Sequence, residues 1–228
     1  MKLGIYLNAQ HPAGDDPARR VAETLEQVRL IRSLGFDSIW GGEHHVTPGF
    51  HYFPLLPMLQ RVAAEAEGMW LGTNLVLLPL HNPVELAEVG AFLDMITGGR
   101  FLLGVGLGYR AEEFAVFGVS MAERVSRLVE GVEKYAAYLS WGIPGITLDP
   151  SAPPEVQLRR LAADRFAVGS PAQVVEALLR QHRAGVTHAC MRVSWPGMPQ
   201  ADILAGIELL RREVVPEVRR RASAHRGG

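Results

Sequence analysis

Four times in roughly the first 120 residues, a short apolar run hands over to a longer stretch with helical spacing. This alternation restricts the chain to a parallel α/β fold. The apolar runs are Lys2 to Leu7, Ser38 to Trp40, Leu71 to Leu78 and Phe101 to Val105. The first helix is predicted from Pro17 to Leu34, with Val21, Leu25, Val28, Ile31 and Leu34 on one face and Gly35 as its stop. The aromatic, proline-rich segment His51 to Pro57 reads as a loop over a site entrance, followed by a helix to about Glu67. Leu71 to Leu78 is almost continuously apolar, as a strand covered on both faces requires. Pro79-Leu80-His81-Asn82-Pro83 breaks it, and a helix follows to Ile96 before Gly98-Gly99. Right-handed crossovers of this kind build either a closed barrel or an open doubly wound sheet, and periodicity does not choose between them.

The second half is less regular. A helical pattern covers Ala122 to about Leu139, and an irregular proline-rich segment runs from Gly142 to Pro154. Phe166-Ala167-Val168 then reads as a strand, and Ser170-Pro171 as the N-cap and first residue of a helix ending near Gly185. His188 to Val193 is the last strand, and Asp202 to about Arg221 the last helix. A chain of 228 residues with 23 basic and 24 acidic side chains has a net charge of -1. Nothing in that balance points to nucleic acid or an anionic membrane surface. No run is long enough to span a bilayer and no leader-like segment opens the chain, so a cytoplasmic protein of one domain over 1–228 is expected. The single cysteine, Cys190, lies in an apolar run and reads as a small core residue.

Gly41-Gly42-Glu43-His44-His45 stands where the second strand ends. A carboxylate and two imidazoles at the C-terminal end of a parallel strand occupy the position where β/α barrels keep their chemistry. Histidine suits proton transfer near neutral pH, although His45 reads equally well as a structural histidine with a buried partner. A metal-dependent hydrolase using Glu43, His44 or His45 with His81 and His11 is the remote reading. Successive residues of a strand point to opposite faces, and no HxH or HExxH spacing occurs, so no metal is expected.

Several pieces in order carry a family resemblance. They are Gly35-Phe36-Asp37-Ser38-Ile39-Trp40 leading to Glu43-His44-His45, then Gly72-Thr73-Asn74-Leu75-Val76-Leu77-Leu78-Pro79, then His81-Asn82-Pro83 through Asp94 to Gly99-Arg100-Phe101. Gly104-Val105-Gly106-Leu107-Gly108-Tyr109 with Glu113-Phe114 and Phe117-Gly118 follow, and Val168-Gly169-Ser170-Pro171 and Ser194-Trp195-Pro196-Gly197-Met198 close the series. The chain resembles the bacterial luciferase-like monooxygenases, flavin- or deazaflavin-dependent enzymes on a TIM-like (β/α) barrel. It is shorter than most of them, and lacks about two strand-helix units and a glycine-rich phosphate segment. In architecture it resembles the shortened non-fluorescent flavoproteins, which bind flavin derivatives and form dimers.

What the resemblance implies is specific. FMN is the expected cofactor, with the deazaflavin coenzyme F-420 as the alternative, and the expected partners are a small organic substrate and a second copy in a homodimer. His44 is the expected proton-transfer residue, oriented by Glu43 or by Asn8. Tyr6, Asn74, Leu75, Gly106, Gly108, Tyr109 and Ser170 are the expected cofactor contacts, with a non-prolyl cis peptide at Asn74-Leu75. From the residues alone, the Gly104, Gly106 and Gly108 series is explained as well by close packing, and Ser170 by plain capping. Arg110 and Arg124 are candidate phosphate partners, His81 faces the mouth or caps the next helix, and Trp195 and Met198 are candidate pocket walls or packing residues. A flavin-binding protein without turnover is the second functional reading.

Overall fold

The computed structural model describes residues 1–140, 170–194 and 196–224. The expected strand at Phe166-Ala167-Val168, the irregular Gly142 to Pro154, and Trp195 lie outside the described residues. Five strands form one parallel sheet: β1 (Lys2–Tyr6), β3 (Ser38–Gly41), β5 (Trp70–Thr73), β6 (Phe101–Leu102) and β7 (His188–Arg192), in the order β6-β5-β3-β1-β7. From β1 through β3 and β5 to β6, each strand is added beside its predecessor, and β7 returns to the other edge of β1. All the C-terminal strand ends therefore open on one rim.

Helices follow the strands because their apolar stripes need the sheet. The α1 helix (Pro17–Ser33) starts on Asp16, whose side chain accepts the Ala18 N–H, and buries Leu25, Val28 and Ile31. The α2 (Leu55–Ala63) and α3 (Pro83–Ile96) helices follow β3 and β5, the latter capped by Asn82. Beyond β6 come α4 (Ala111–Val116) and α5 (Arg124–Ser140), and the described part resumes with α6 (Pro171–Arg183). After β7, α7 (Gln200–Leu209) passes through a π turn at Leu210–Val214 into α8 (Val215–Ala224). Pro216 has no N–H to donate and its ring crowds the carbonyl four residues earlier, which accounts for the widened turn there. Leu3, Ile5, Ile39 and Leu71 from the strands join the helical residues in one continuous core. Among the described residues no helix is long and apolar enough to cross a membrane.

Three sequence expectations change. His51 to Pro57 is not all loop: β4 (Phe50–Tyr52) pairs antiparallel with β2 (Gln10–Pro12), tying together the loops after β1 and β3. Three-residue strands are too short to show alternation, so this ribbon left no readable pattern. The run Leu71 to Leu78 is a strand only to Thr73. Beyond it, Leu77 and Leu80 pack on Phe114, and Leu78–Leu80 forms a 3-10 turn. An apolar run records burial, and burial here belongs partly to a turn. The strand expected at Phe101 to Val105 pairs through Leu102, with one further bridge between Val76 and Val105.

Where β5 stops, the Thr73 hydroxyl donates to the Gly104 carbonyl and accepts the Gly104 N–H, each at 2.8 Å. Backbone pairing resumes with Val76 N–H to the Gly104 carbonyl at 2.9 Å and Gly106 N–H to the Val76 carbonyl at 2.8 Å. Asn74 and Leu75 are left outside the ladder and project at the rim.

Ile39 sits fully buried in the central strand of this arrangement. Ile39→Ala should lower unfolding free energy by about 2–5 kcal/mol, measured by denaturant titration, with the fold retained.

Candidate active site

The β3 strand delivers its last residues to the rim through two glycines. A Cβ on Gly42 would stand 2.0 Å from the Tyr6 hydroxyl oxygen and 2.9 Å from the Asn74 carbonyl oxygen, so only glycine lets the chain pass. The next three residues alternate, as extended backbone requires. Glu43 and His45 turn to one side and His44 to the other.

Glu43 is buried, at 7% exposure. Its Oε2 accepts the Leu77 N–H at 2.7 Å, and His81 Nε2 lies 2.9 Å from both carboxylate oxygens. His45 Nε2 stands 3.3 Å from Oε1, within ion-pair reach but off the line of a hydrogen bond. Burial alone would favour the neutral acid. The neighbouring His45 and His81 rings and the Leu77 N–H outweigh it and hold the carboxyl at about 2. His81 thus faces the mouth, and Asn82 takes the capping role.

His44 is served by a different acid. Its Nδ1 lies 2.9 Å from Oε1 of Glu113, a side chain with no exposure at all. The same oxygen accepts the His45 backbone N–H at 2.8 Å, with Arg110 Nη1 at 3.4 Å. A carboxylate on Nδ1 fixes the proton there and leaves Nε2 as the basic nitrogen. Among the described residues Nε2 of His44 has no hydrogen-bond partner, and the side chain is 29% exposed. Tyr52 and Tyr109 flank the ring edge-on, at 5.6 and 5.9 Å between centroids.

The expectation that Glu43 or Asn8 orients His44 is therefore corrected. Glu43 is committed to Leu77 and His81, and Asn8 donates to the Gln10 carbonyl and accepts from Arg192. Glu113, the acid that meets His44, was not singled out from the sequence. It lies 69 positions away on the six-residue helix α4, and only its placement in the family motif could have drawn attention to it.

The expected cofactor residues fall into two groups. Tyr6, Asn74, Leu75, Gly106, Gly108 and Tyr109 all stand on strand ends or rim loops. The peptide between Asn74 and Leu75 is cis, as the family resemblance implied. The Leu75 side chain, 38% exposed, lies over Gly104 and Gly106, where a Cβ on Gly106 would be 2.6 Å from Leu75 Cδ1. Close packing against Leu75 is what these glycines permit. Gly108 has φ +72°, and a Cβ there would meet the Phe114 ring at 2.8 Å. Tyr52 and Tyr6 share a hydrogen bond, and burial pushes both phenols up, so both stay protonated. Ser170 stands apart from this cluster: its hydroxyl and amide are engaged with Gln173 in a capping box. Arg110 donates to the His45 and Val46 carbonyls and Arg124 to that of Met121, so both are tied to protein. Met198 packs on the core. An open cleft of about 330 Å³ lies beside His44 and His45, walled by Val46, Thr47, Pro48, Phe50 and Tyr52.

The sequence profile of the luciferase-like monooxygenases matches residues 1–140, which carry the expected catalytic and cofactor residues except Ser170. The chain belongs to the luciferase-like monooxygenase family. Its similarity to 4-hydroxyprotoasukamycin monooxygenase of Streptomyces nodosus subsp. asukaensis is 33% identity over 134 residues. That stretch is 58% of this chain and 36% of the relative, so the chain spans about a third of that relative's length. Among solved structures, a monooxygenase from Streptomyces bottropensis superposes with a TM-score of 0.76 at 20% identity, covering 95% of this chain and 99% of the other. The oxygenating constituent of 3,6-diketocamphane monooxygenase of Pseudomonas putida, solved with FMN, gives 0.55 at 18% identity, covering 66% and 42%. The coenzyme F-420 dependent tetrahydromethanopterin reductase of Methanopyrus kandleri gives 0.60 at 15%, covering 95% and 99%. At such identities these structures establish the fold: a luciferase-like α/β barrel, which the parallel sheet with β7 returned to β1 fits.

Glu43 supplies a measurable linkage. Its folded value of about 2 lies below the ordinary 4.5, so the ionised form favours the folded state. That contribution, on the order of 3 kcal/mol, is complete above about pH 5 and is lost as pH falls through about 2. Unfolding titrations of the wild type and Glu43→Gln should therefore converge as pH falls across that window.

Proposed function

We propose that the rim of this luciferase-like barrel binds a flavin-type cofactor and that the protein is an oxidoreductase acting on a small organic molecule. FMN is the first choice and coenzyme F-420 the alternative, because family relatives of this fold are known with each. The observation that carries the reading is the pairing of an exposed apolar platform with an oriented base. Leu75, lifted out of the ladder above Gly104 and Gly106, stands at the same rim as His44 with its free Nε2. Leu75, Tyr6, Asn74, Gly106, Gly108 and Tyr109 are the residues that would hold the ring, and the fit is that of a flat apolar group against a glycine-backed side chain. When bound, the cofactor supplies the electron-carrying ring that no amino-acid side chain offers.

The chain's own residues then do three things. Glu113 keeps the Nδ1 proton of His44 in place, so Nε2 can take or return a proton at the cleft. Tyr52 and Tyr109 fix the ring's orientation by edge contacts, and the protonated Tyr6–Tyr52 pair donates hydrogen bonds without adding charge. The cleft beside His44 offers the substrate a site of small-molecule size. The homodimer belongs to the same proposal, supported by the exposed Phe92, Met95 and Ile96 on α3.

Titration with FMN and with coenzyme F-420, followed by ligand fluorescence, tests the reading. One of them should bind at micromolar concentration, and Leu75→Asp should weaken it by roughly tenfold or more, about 1.4 kcal/mol. Failure of both cofactors to bind the folded protein at about 100 μM would sink the proposal.

A further inference from the structure

The tripeptide that ends β3 splits its work between two sites, and the side turned away from His44 has a composition of its own. Glu43, His45 and His81 present a carboxylate and two imidazole nitrogens that all lie within 4.8 Å of one another, the one such convergence among the described residues. His81 Nε2 is 2.9 Å from each Glu43 oxygen, and His45 Nε2 is 3.3 Å from Oε1. A tetrahedral zinc ion with bonds of about 2.1 Å holds its ligand atoms roughly 3.4 Å apart, close to these separations.

Charge and orientation point the same way. Glu43 is buried, and its side-chain neighbours are imidazoles, which carry no charge unless protonated. A buried anion needs a counter-charge, and a divalent cation supplies one without a proton. His45 Nε2 is buried and, among the described residues, has no hydrogen-bond partner. Glu43 is already steered by the Leu77 N–H on Oε2, an outer contact of the kind that orients metal-binding carboxylates. The donor set, two histidines and a carboxylate, matches three-ligand zinc sites that keep a further position open. His45 also lines the cleft, which gives an ion its path in and a place for water.

We infer that Glu43, His45 and His81 form a binding site for one divalent transition-metal ion of the zinc class, with its open position toward the cleft. The ion would fasten the end of β3 to the loop that follows β5, from the side opposite the His44–Glu113 pair. This inference stands on the metal-type donor set and not on the flavin reading.

Protein stripped with chelator and returned to buffer would be titrated with zinc chloride in a calorimeter. One zinc per chain at micromolar affinity or better is expected, with a raised melting temperature. His45→Ala and His81→Ala should each weaken it by roughly tenfold or more, and His182→Ala, a histidine of α6 outside the site, should leave it in place. As a measurement that needs no variant, cobalt(II) bound to the wild type should show visible absorption of a low-coordinate site. Absence of stoichiometric zinc, absence of the cobalt bands, or wild-type zinc affinity in both histidine variants would overturn the inference. FMN and coenzyme F-420 titrations on the same stripped sample keep the two readings apart: zinc without cofactor sinks only the redox proposal, and cofactor without zinc sinks only this one.

Discussion

The contact on which the rim depends is the hydrogen bond from the Leu77 N–H to the buried carboxylate of Glu43. Beyond Thr73, β5 no longer offers β3 a regular ladder, since Asn74 and Leu75 leave the sheet. Three bonds replace it. The Asn74 N–H reaches the Gly41 carbonyl at 2.6 Å, the Glu43 N–H reaches the Leu75 carbonyl at 3.3 Å, and the Glu43 side chain takes the Leu77 N–H. Only the last engages a charge, and a hydrogen bond to a charged group is worth roughly twice a neutral one. Burial makes the commitment costly if the partners are lost, because an ionised carboxylate without them would be left in a low-dielectric setting. The same bond that holds the loop therefore also compels His81 and His45 to stay close.

That arrangement leaves His44 free for a second acid. Period-two alternation turns it away from Glu43, and α4 brings Glu113 to meet it from the opposite side. Glu113 also accepts the His45 amide, so the acid that fixes the imidazole fixes the backbone carrying it. Ring and main chain are held by one acid, which is how a loop comes to hold a base in one orientation. Val46, with φ +46°, follows immediately and turns the chain toward the β2–β4 ribbon that supplies Tyr52.

Much of the scaffold was legible in the sequence because it rests on local physics. The apolar runs Lys2 to Leu7 and Ser38 to Trp40, the cap Ser170 and the stop at Gly35 declare themselves by composition and spacing. The site was legible only where it is contiguous. Glu43-His44-His45 announces itself, but which imidazole meets which acid depends on Glu113 and His81, brought from two other units. An acid on a six-residue helix reads as surface, and its complete burial follows from packing that no local pattern records. Leu71 to Leu78 misled for the related reason that burial has no period: a strand and a packed 3-10 turn look alike when both are apolar.

The glycines connect these levels. Gly42 yields its side-chain volume to the Tyr6 hydroxyl, Gly106 yields its own to Leu75, and Gly104 makes room for the Thr73 carbonyl. In each case the space is taken by an atom from a neighbouring strand end. The rim is thus built from omissions on one strand matched to projections on the next: Tyr6 and Leu75 can take their places only because residues 42 and 106 carry no Cβ. A sequence reading that treats each glycine as a local turn signal misses this pairing, because the reason for the glycine lies on another strand. The same reasoning explains why two reactive clusters fit behind one tripeptide. With the backbone of β3 pressed against Tyr6, Glu43 and His45 turn to one side of the strand and His44 to the other, and each side finds its partner already placed.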